Sequence, residues 1–317
     1  MTILKAINWN DPSSQFYDML YRKQTQQFWL PEEIPVSDDV SNWKVLDPKV
    51  KLAYEQVLAG LTLLDTNQTT GINRIAEKSN NMYIQSLLAL FGGFESIHAR
   101  SYSTIFQTLC TTERINELFV WVEEVKELQQ KVSQILNHYS RDNNIYMSYV
   151  ASLCLEGICF YSGFFLPLYL SGQGKMVNSG EIINLIMRDE KLHTLACGQF
   201  AKDSLLELDE DVQITLKEEA KQLIKKIYDL ELEYSELIYK DLGLVEEVKT
   251  YIQFNVNYAL DCLGLDPIFP ISSLDVHPVV MAGYSIETKN HDFFSSKGNG
   301  YIVATNVVPL KDEDFIF

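Results

Sequence analysis

Glu95-Ser96-Ile97-His98 and Glu190-Lys191-Leu192-His193 decide how this chain reads, because each is Glu-x-x-His inside a segment with helical periodicity. Positions i and i+3 share one face of a helix, so each run sets a carboxylate beside an imidazole. Two such runs, joined by carboxylates from two other helices, form the ligand set of a bundle that holds a pair of metal ions. The pattern alone is weak: with 5 His among 317 residues, chance placement gives about 0.4 such pairs. Context has to carry the reading.

That context is a set of acids in apolar surroundings. Asp65 follows Leu58-Ala59-Gly60-Leu61-Thr62-Leu63-Leu64, and Glu95 follows Leu87-Leu88-Ala89-Leu90-Phe91-Gly92-Gly93-Phe94. Glu156 sits within Leu153-Cys154-Leu155-Glu156-Gly157-Ile158-Cys159-Phe160, and Glu190 follows Ile182-Ile183-Asn184-Leu185-Ile186-Met187-Arg188-Asp189. Buried carboxylates are costly unless paired, protonated or bound to metal. The bland alternative pairs them with Arg74, Arg100, Arg188 or each other. For any one acid that alternative is the better reading; for four acids with two histidines it is strained. A binuclear site accommodates all six at once, with carboxylates bridging and one neutral nitrogen per ion. Oxygen-rich ligation favours iron or manganese over zinc. Tyr102 lies four residues past His98 on a neighbouring part of the same face. There a phenol could lose an electron to an oxygen-activating metal pair, although with 17 tyrosines in the chain an ordinary core tyrosine is a strong alternative.

Periodicity predicts an all-α protein, with helices near 13–26, 48–75, 81–110, 112–138, 143–171, 179–206, 210–240 and 244–264. Asp47-Pro48, Thr111-Thr112-Glu113-Arg114 and Ser179-Gly180-Glu181 supply start signals, and Gly172 and Gly174 a stop. Val150–Leu170 is long enough to cross a bilayer. Glu156 near its middle and Pro167 near its end favour a buried helix at the centre of a bundle. The net charge of −17 argues against a nucleic-acid surface. Five cysteines without a C-x-x-C pair imply reduced thiols in a cytosol-like compartment. The N-terminus lacks the regions of a signal peptide. From Asp266 onward prolines break the periodicity, and the chain ends in Lys311-Asp312-Glu313-Asp314-Phe315-Ile316-Phe317. That run suits a frayed terminus or a docking peptide equally well.

Nearly the whole chain resembles the small, radical-generating subunit of class I ribonucleotide reductase, most closely its class Ib form. The resemblance rests on Gln27-Phe28-Trp29-Leu30-Pro31-Glu32-Glu33, Leu61-Thr62-Leu63-Leu64-Asp65-Thr66 and Glu95-Ser96-Ile97-His98-Ala99-Arg100-Ser101-Tyr102-Ser103. It continues through Leu155-Glu156, Phe160-Tyr161-Ser162-Gly163-Phe164, Ser179-Gly180-Glu181-Ile182-Ile183, Arg188-Asp189-Glu190 and His193. Asn290-His291-Asp292-Phe293-Phe294-Ser295 and Lys297-Gly298-Asn299-Gly300-Tyr301 complete it.

The resemblance implies a ferritin-like helical bundle over 1–290 with a dinuclear site in its core, and a flexible C-terminal tail, 291–317, that docks on a large subunit. It implies Asp65, Glu95 and His98 at one metal, Glu156, Glu190 and His193 at the other, and two manganese or two iron ions as cofactor. It further implies a tyrosyl radical on Tyr102, an electron relay through Trp29, Asp189 and His98, and Tyr301 continuing that relay. The activity implied is reduction of ribonucleotides to deoxyribonucleotides together with the large subunit, in a cytoplasmic homodimer. With manganese it implies a flavodoxin-like activating flavoprotein. Two features depart from the family pattern. Gly92-Gly93 before Glu95 weakens a helix by about 1 kcal/mol per glycine and marks a candidate distortion; Lys191 and Thr194-Leu195-Ala196-Cys197 are unexpected around the second histidine. Other readings are a di-iron oxidase, which would have no use for Trp29, Tyr301 or a tail, and a metal-storage or scaffold bundle, which would not need six ligands in an apolar core.

Overall fold

The computed structural model describes residues 5–140 and 142–284. Its first helices are α1 (Gln15–Gln26), the short α2 (Val40–Val45), α3 (Pro48–Lys78) and α4 (Met82–Leu109). They are followed by α5 (Thr112–Glu124), α6 (Lys126–His138), α7 (Ile145–Cys154) and α8 (Tyr161–Ser171). The chain continues through α9 (Val177–Leu205), α10 (Glu210–Tyr239), α11 (Val245–Cys262) and α12 (Pro278–Tyr284). Among the described residues there is no strand. The helical unit runs to Tyr284; the expected tail, with Tyr301, lies outside the described residues.

The long helices begin where their side chains can satisfy free backbone N–H groups. The Asp47 carboxylate accepts from Lys49 N at 2.8 Å ahead of Pro48, and Asn81 accepts from Tyr83 N at 2.9 Å. Thr111 and Asn144 cap α5 and α7 in the same way. The start of α9 differs from the sequence expectation. The helix begins at Val177, after Met176 in a left-handed conformation (φ 53°). Its cap comes from far away in sequence: the buried Asp39 carboxylate accepts from Ser179 N and Oγ, both at 2.7 Å, and from Asn178 N at 3.2 Å.

Two helices expected as single pieces are divided. The 112–138 segment breaks at Val125 (φ −72°, ψ 104°), where the Gln129 side chain donates to the Val122 carbonyl at 2.8 Å and satisfies an acceptor freed by the break. The bend lets Leu118 and Val122 on one side, and Leu128 and Ile135 on the other, face the same core. The 143–171 segment is interrupted by a π turn at Leu155–Cys159, which contains Glu156. A π turn inserts one residue into the helical register and so re-aims the side chains it carries. The whole span Ile145–Ser171 is apolar enough to cross a bilayer, yet 94% of its most apolar window is buried among the other helices. It is the central helix of the bundle.

The expected distortion at Gly92-Gly93 is absent: α4 is unbroken from Met82 to Leu109. Among the described residues α3 and α4 form the most extensive helix pair. A Cβ on Gly92 would sit 3.1 Å from both Ile72 Cγ2 and the Thr69 carbonyl. This glycine therefore permits close approach of the two helices, while Gly93 faces open space.

A second polar feature escaped the sequence reading. Lys131 and Glu231 form a fully buried ion pair between α6 and α10. Ser162 Oγ also donates to the Glu231 carboxylate, and the Lys131 ammonium lies 4.1 Å from the centre of the Tyr234 ring. Removing one partner of a buried pair strands the other charge, at about 3–5 kcal/mol. We expect Glu231→Ala to lower the unfolding free energy by about that amount in denaturant titration, and Lys131→Met combined with Glu231→Leu to recover most of it. A single variant as stable as the parent would show that the pair contributes nothing.

Candidate metal centre

Four helical segments converge on one spot. α3 contributes Asp65, α4 contributes Glu95 and His98, the π turn contributes Glu156, and α9 contributes Glu190 and His193; all six are fully buried. Their ligand atoms fall into two overlapping groups, Asp65–Glu95–His98–Glu190 and Glu95–Glu156–Glu190–His193, each within a span of 4.8 Å. Glu95 and Glu190 belong to both, the position a bridging carboxylate occupies. His98 Nδ1 is 2.8 Å from Glu190 Oε1, and His193 Nδ1 is 2.8 Å from Glu95 Oε1 and 3.2 Å from Glu190 Oε2.

Among the described residues no arginine neutralises these acids. Arg74 is exposed, Arg100 pairs with Glu32 at 2.5 Å on the surface, and Arg188 donates to the Gln27 carbonyl. Despite complete burial, both oxygens of Asp65, both of Glu95, Glu156 Oε2, Glu190 Oε1 and His98 Nδ1 find no hydrogen bond of regular geometry, the close imidazole–carboxylate approaches being misaligned for one. So many unsatisfied buried polar atoms call for a ligand. The donor set fits divalent cations: four carboxylate charges balance two of them, and oxygen-rich ligation with one imidazole each suits manganese or iron.

The local field is consistent with that. Burial, reinforced by Glu95, raises the Asp65 carboxyl well above its ordinary range. Burial and the charges of Glu95 and Glu190 raise Glu156 likewise. For Glu190 burial acts upward too, but Glu156 and the two imidazoles outweigh it and hold the carboxyl down. Burial disfavours both imidazolium forms, yet the facing carboxylates outweigh it and raise His98 and His193.

Around the six ligand candidates lies an ordered outer layer. His98 Nε2 is 3.2 Å from Asp189 Oδ2, and the same oxygen accepts from Trp29 Nε1 at 2.8 Å. A carboxylate can only accept, so Nε2 carries a proton, and in the neutral imidazole the lone pair falls on Nδ1, toward the cluster. Gln27 Nε2 holds the other Asp189 oxygen at 2.9 Å, and the Trp29 and His98 rings stack at 6.3 Å. The chain thus places Trp29, Asp189 and His98 in one hydrogen-bonded line. Trp29 is buried between exposed Phe28 and Leu30, so the line runs from the cluster toward the surface. Tyr102 is fully buried with its hydroxyl free of any regular hydrogen bond; burial and the neighbouring Asp65 raise it well above its ordinary range.

Residues 6–278 match the family described as "Ribonucleotide reductase, small chain". The chain belongs to that family. It is 45% identical to the ribonucleoside-diphosphate reductase subunit beta of Bacillus subtilis, over 99% of this chain and 97% of that one. It is 36% identical to the reductase 2 subunit beta of Escherichia coli, over 99% and 98%. Among solved structures, the dimanganese(II) NrdF of Streptococcus sanguinis superposes with a TM-score of 0.86 at 40% identity, covering 89% of this chain and 100% of that one. These matches make this a class Ib-like small chain with the all-α, ferritin-like bundle of the family.

The departures around the second histidine leave the small-chain cluster whole. Thr194 Oγ1 donates to the Glu190 carbonyl at 2.8 Å, and Cys197 Sγ contacts Ser152 Oγ at 3.6 Å. Burial lowers Lys191 to about 7. Sequence reasoning overlooked Gln68, which is fully buried and donates to Glu156 Oε1 at 2.5 Å. A signal was present, because Gln68 falls on the stripe Leu61, Leu64, Asp65 and Ile72 that α3 buries.

Asp65, Glu156, His98 and His193 all hold protons more tightly than in water, so entering cations must displace them. We expect Mn(II) loading to release protons and the apparent affinity to rise with pH across neutrality. Calorimetric titration in two buffers of different ionisation enthalpy reads this; loading without proton release would contradict it.

Proposed function

We propose that this chain is the radical-generating small subunit of ribonucleoside-diphosphate reductase, acting with a large subunit that binds and reduces the nucleotide. The observation that carries the reading is the buried pair of overlapping ligand groups, with Tyr102 and the Trp29–Asp189–His98 line beside it. Asp65, Glu95 and His98 would hold one ion and Glu156, Glu190 and His193 the other, with Glu95 and Glu190 placed to bridge. Two manganese or two iron ions, when bound, supply the oxidising power through oxygen chemistry.

The residues of this chain do the rest. Tyr102 is the phenol that gives up an electron, and Asp65 is the carboxyl group whose charge bears most strongly on it. Complete burial of Tyr102 shields the resulting radical from water and external reductants. The Asp189 carboxylate keeps a proton on His98 Nε2 and accepts the indole hydrogen bond of Trp29, so electron movement along this line is tied to fixed proton positions. Tyr301 would extend the relay, and the acidic-aromatic tail of 291–317 would dock on the large subunit. A homodimer, a cytoplasmic location and, for a manganese form, a flavodoxin-like activating flavoprotein complete the proposal. Two relatives carrying the reductase beta-subunit name favour it over a di-iron oxidase or a storage bundle.

Tyr102→Phe is expected to bind two metals per chain as the parent does and to lose turnover with the large subunit, together with the radical signal in electron paramagnetic resonance. Full turnover in that variant would remove Tyr102 from the mechanism. Deleting 301–317 is expected to abolish nucleotide reduction while leaving the metal content and the Tyr102 radical intact. Undiminished reduction after the deletion would exclude the docking role.

A further inference from the structure

Glu156 is the one carboxylate of the cluster that stands on irregular backbone, the π turn Leu155–Cys159. The other three stand on regular helix, where register alone fixes their direction. Something besides register must therefore aim Glu156.

Gln68 meets that need. Its side chain is fully buried one turn beyond Asp65 on α3. Nε2 donates to Glu156 Oε1 at 2.5 Å and to Ser152 Oγ at 3.1 Å, while Oε1 accepts from the Tyr139 hydroxyl at 2.8 Å. The orientation of the amide follows from chemistry. Once a cation displaces its proton, the Glu156 carboxylate only accepts, so the nitrogen must face Glu156, and the Tyr139 hydroxyl must then donate to the amide oxygen. Tyr139, at the end of α6, is itself fully buried and has no freedom to turn away. The consequence for Glu156 is asymmetric. Oε1 is engaged by Gln68, and Oε2 alone, without a hydrogen bond, is left toward His193, 3.8 Å from its Nδ1.

Resting on the metal-site reading above, we infer that Gln68, oriented by Tyr139, is a positioning residue that restricts Glu156 to binding through the single oxygen Oε2. A Glu156 free of this restraint could chelate with both oxygens. Gln68 would thus withhold one Glu156 oxygen from an ion held near His193. Partners of this kind, behind the ligands themselves, commonly change metal affinity by about 10–100-fold when removed.

The test uses the full chain loaded anaerobically with Mn(II), so that neither turnover nor the large subunit enters. Gln68→Met keeps the length and removes both donors; Tyr139→Phe removes only the hydroxyl that orients the amide and guards against a folding defect in the first variant. We expect Gln68→Met to shift the Mn(II) affinity of one of the two sites by about 10–100-fold and to alter the exchange-coupled signal of the dimanganese(II) form in electron paramagnetic resonance. Tyr139→Phe should alter the same signal in the same direction by less. The melting temperature of metal-free protein should move little in Tyr139→Phe, which separates positioning from general destabilisation. Normal affinities and an unchanged coupled signal in both variants would overturn the role of Gln68 alone. Failure of the unmutated chain to take up a coupled pair of Mn(II) ions would overturn the functional reading and this inference with it.

Discussion

Four carboxylates and two imidazoles are held in an apolar core with no arginine of the described residues among them. In that setting like charges repel strongly, because burial removes most of the screening by bulk solvent. The chain tolerates the cluster only because its charge can be compensated from outside, by cations or by protons. Every unusual feature nearby follows from this constraint: the raised Asp65 and Glu156, the lowered Glu190, the two histidines held toward their charged form, and the buried oxygens with no hydrogen bond. The fold is a device for keeping mutually repelling groups together until a metal pair arrives.

Rigid supports serve that end from several directions. α9, which carries Glu190 and His193, is anchored at its start by Asp39 from a distant part of the chain. Gly92 lets α4 lie against α3, which sets Glu95 and His98 at the right depth opposite Asp65. The π turn re-aims Glu156, and just beyond it Ser162 is tied to α10 twice, by its side chain to Glu231 and by its carbonyl to the Tyr239 hydroxyl. Asp189 connects the cluster to Trp29 and so joins the insulated interior to the surface.

Much of this was legible in the sequence, and the reasons are local. Asp47-Pro48, Thr111 and the apolar stripes carry their own start signals and periodicity, so the long helices follow from short stretches. The six ligand candidates were findable because charged residues in apolar runs are conspicuous. What escaped depends on contacts between distant residues or on small changes of backbone register. The break at Val125 has no proline or glycine to announce it. The π turn differs from an α-helix by one residue and leaves the same apolar pattern. Gly92 looked like a weakness in α4 because the residues it admits, Ile72 and Thr69, lie on another helix. Gln68 and Lys131 are polar residues on buried stripes, a signal present in the sequence but faint beside the acids; their partners Glu156 and Glu231 are visible only in three dimensions.

The most direct measurement is anomalous diffraction from crystals of this chain reconstituted with Mn(II). The account predicts two manganese peaks per chain, one among Asp65, Glu95 and His98, the other among Glu156, Glu190 and His193, with Glu95 or Glu190 spanning both. A single peak, or manganese bound away from these six side chains, would contradict it.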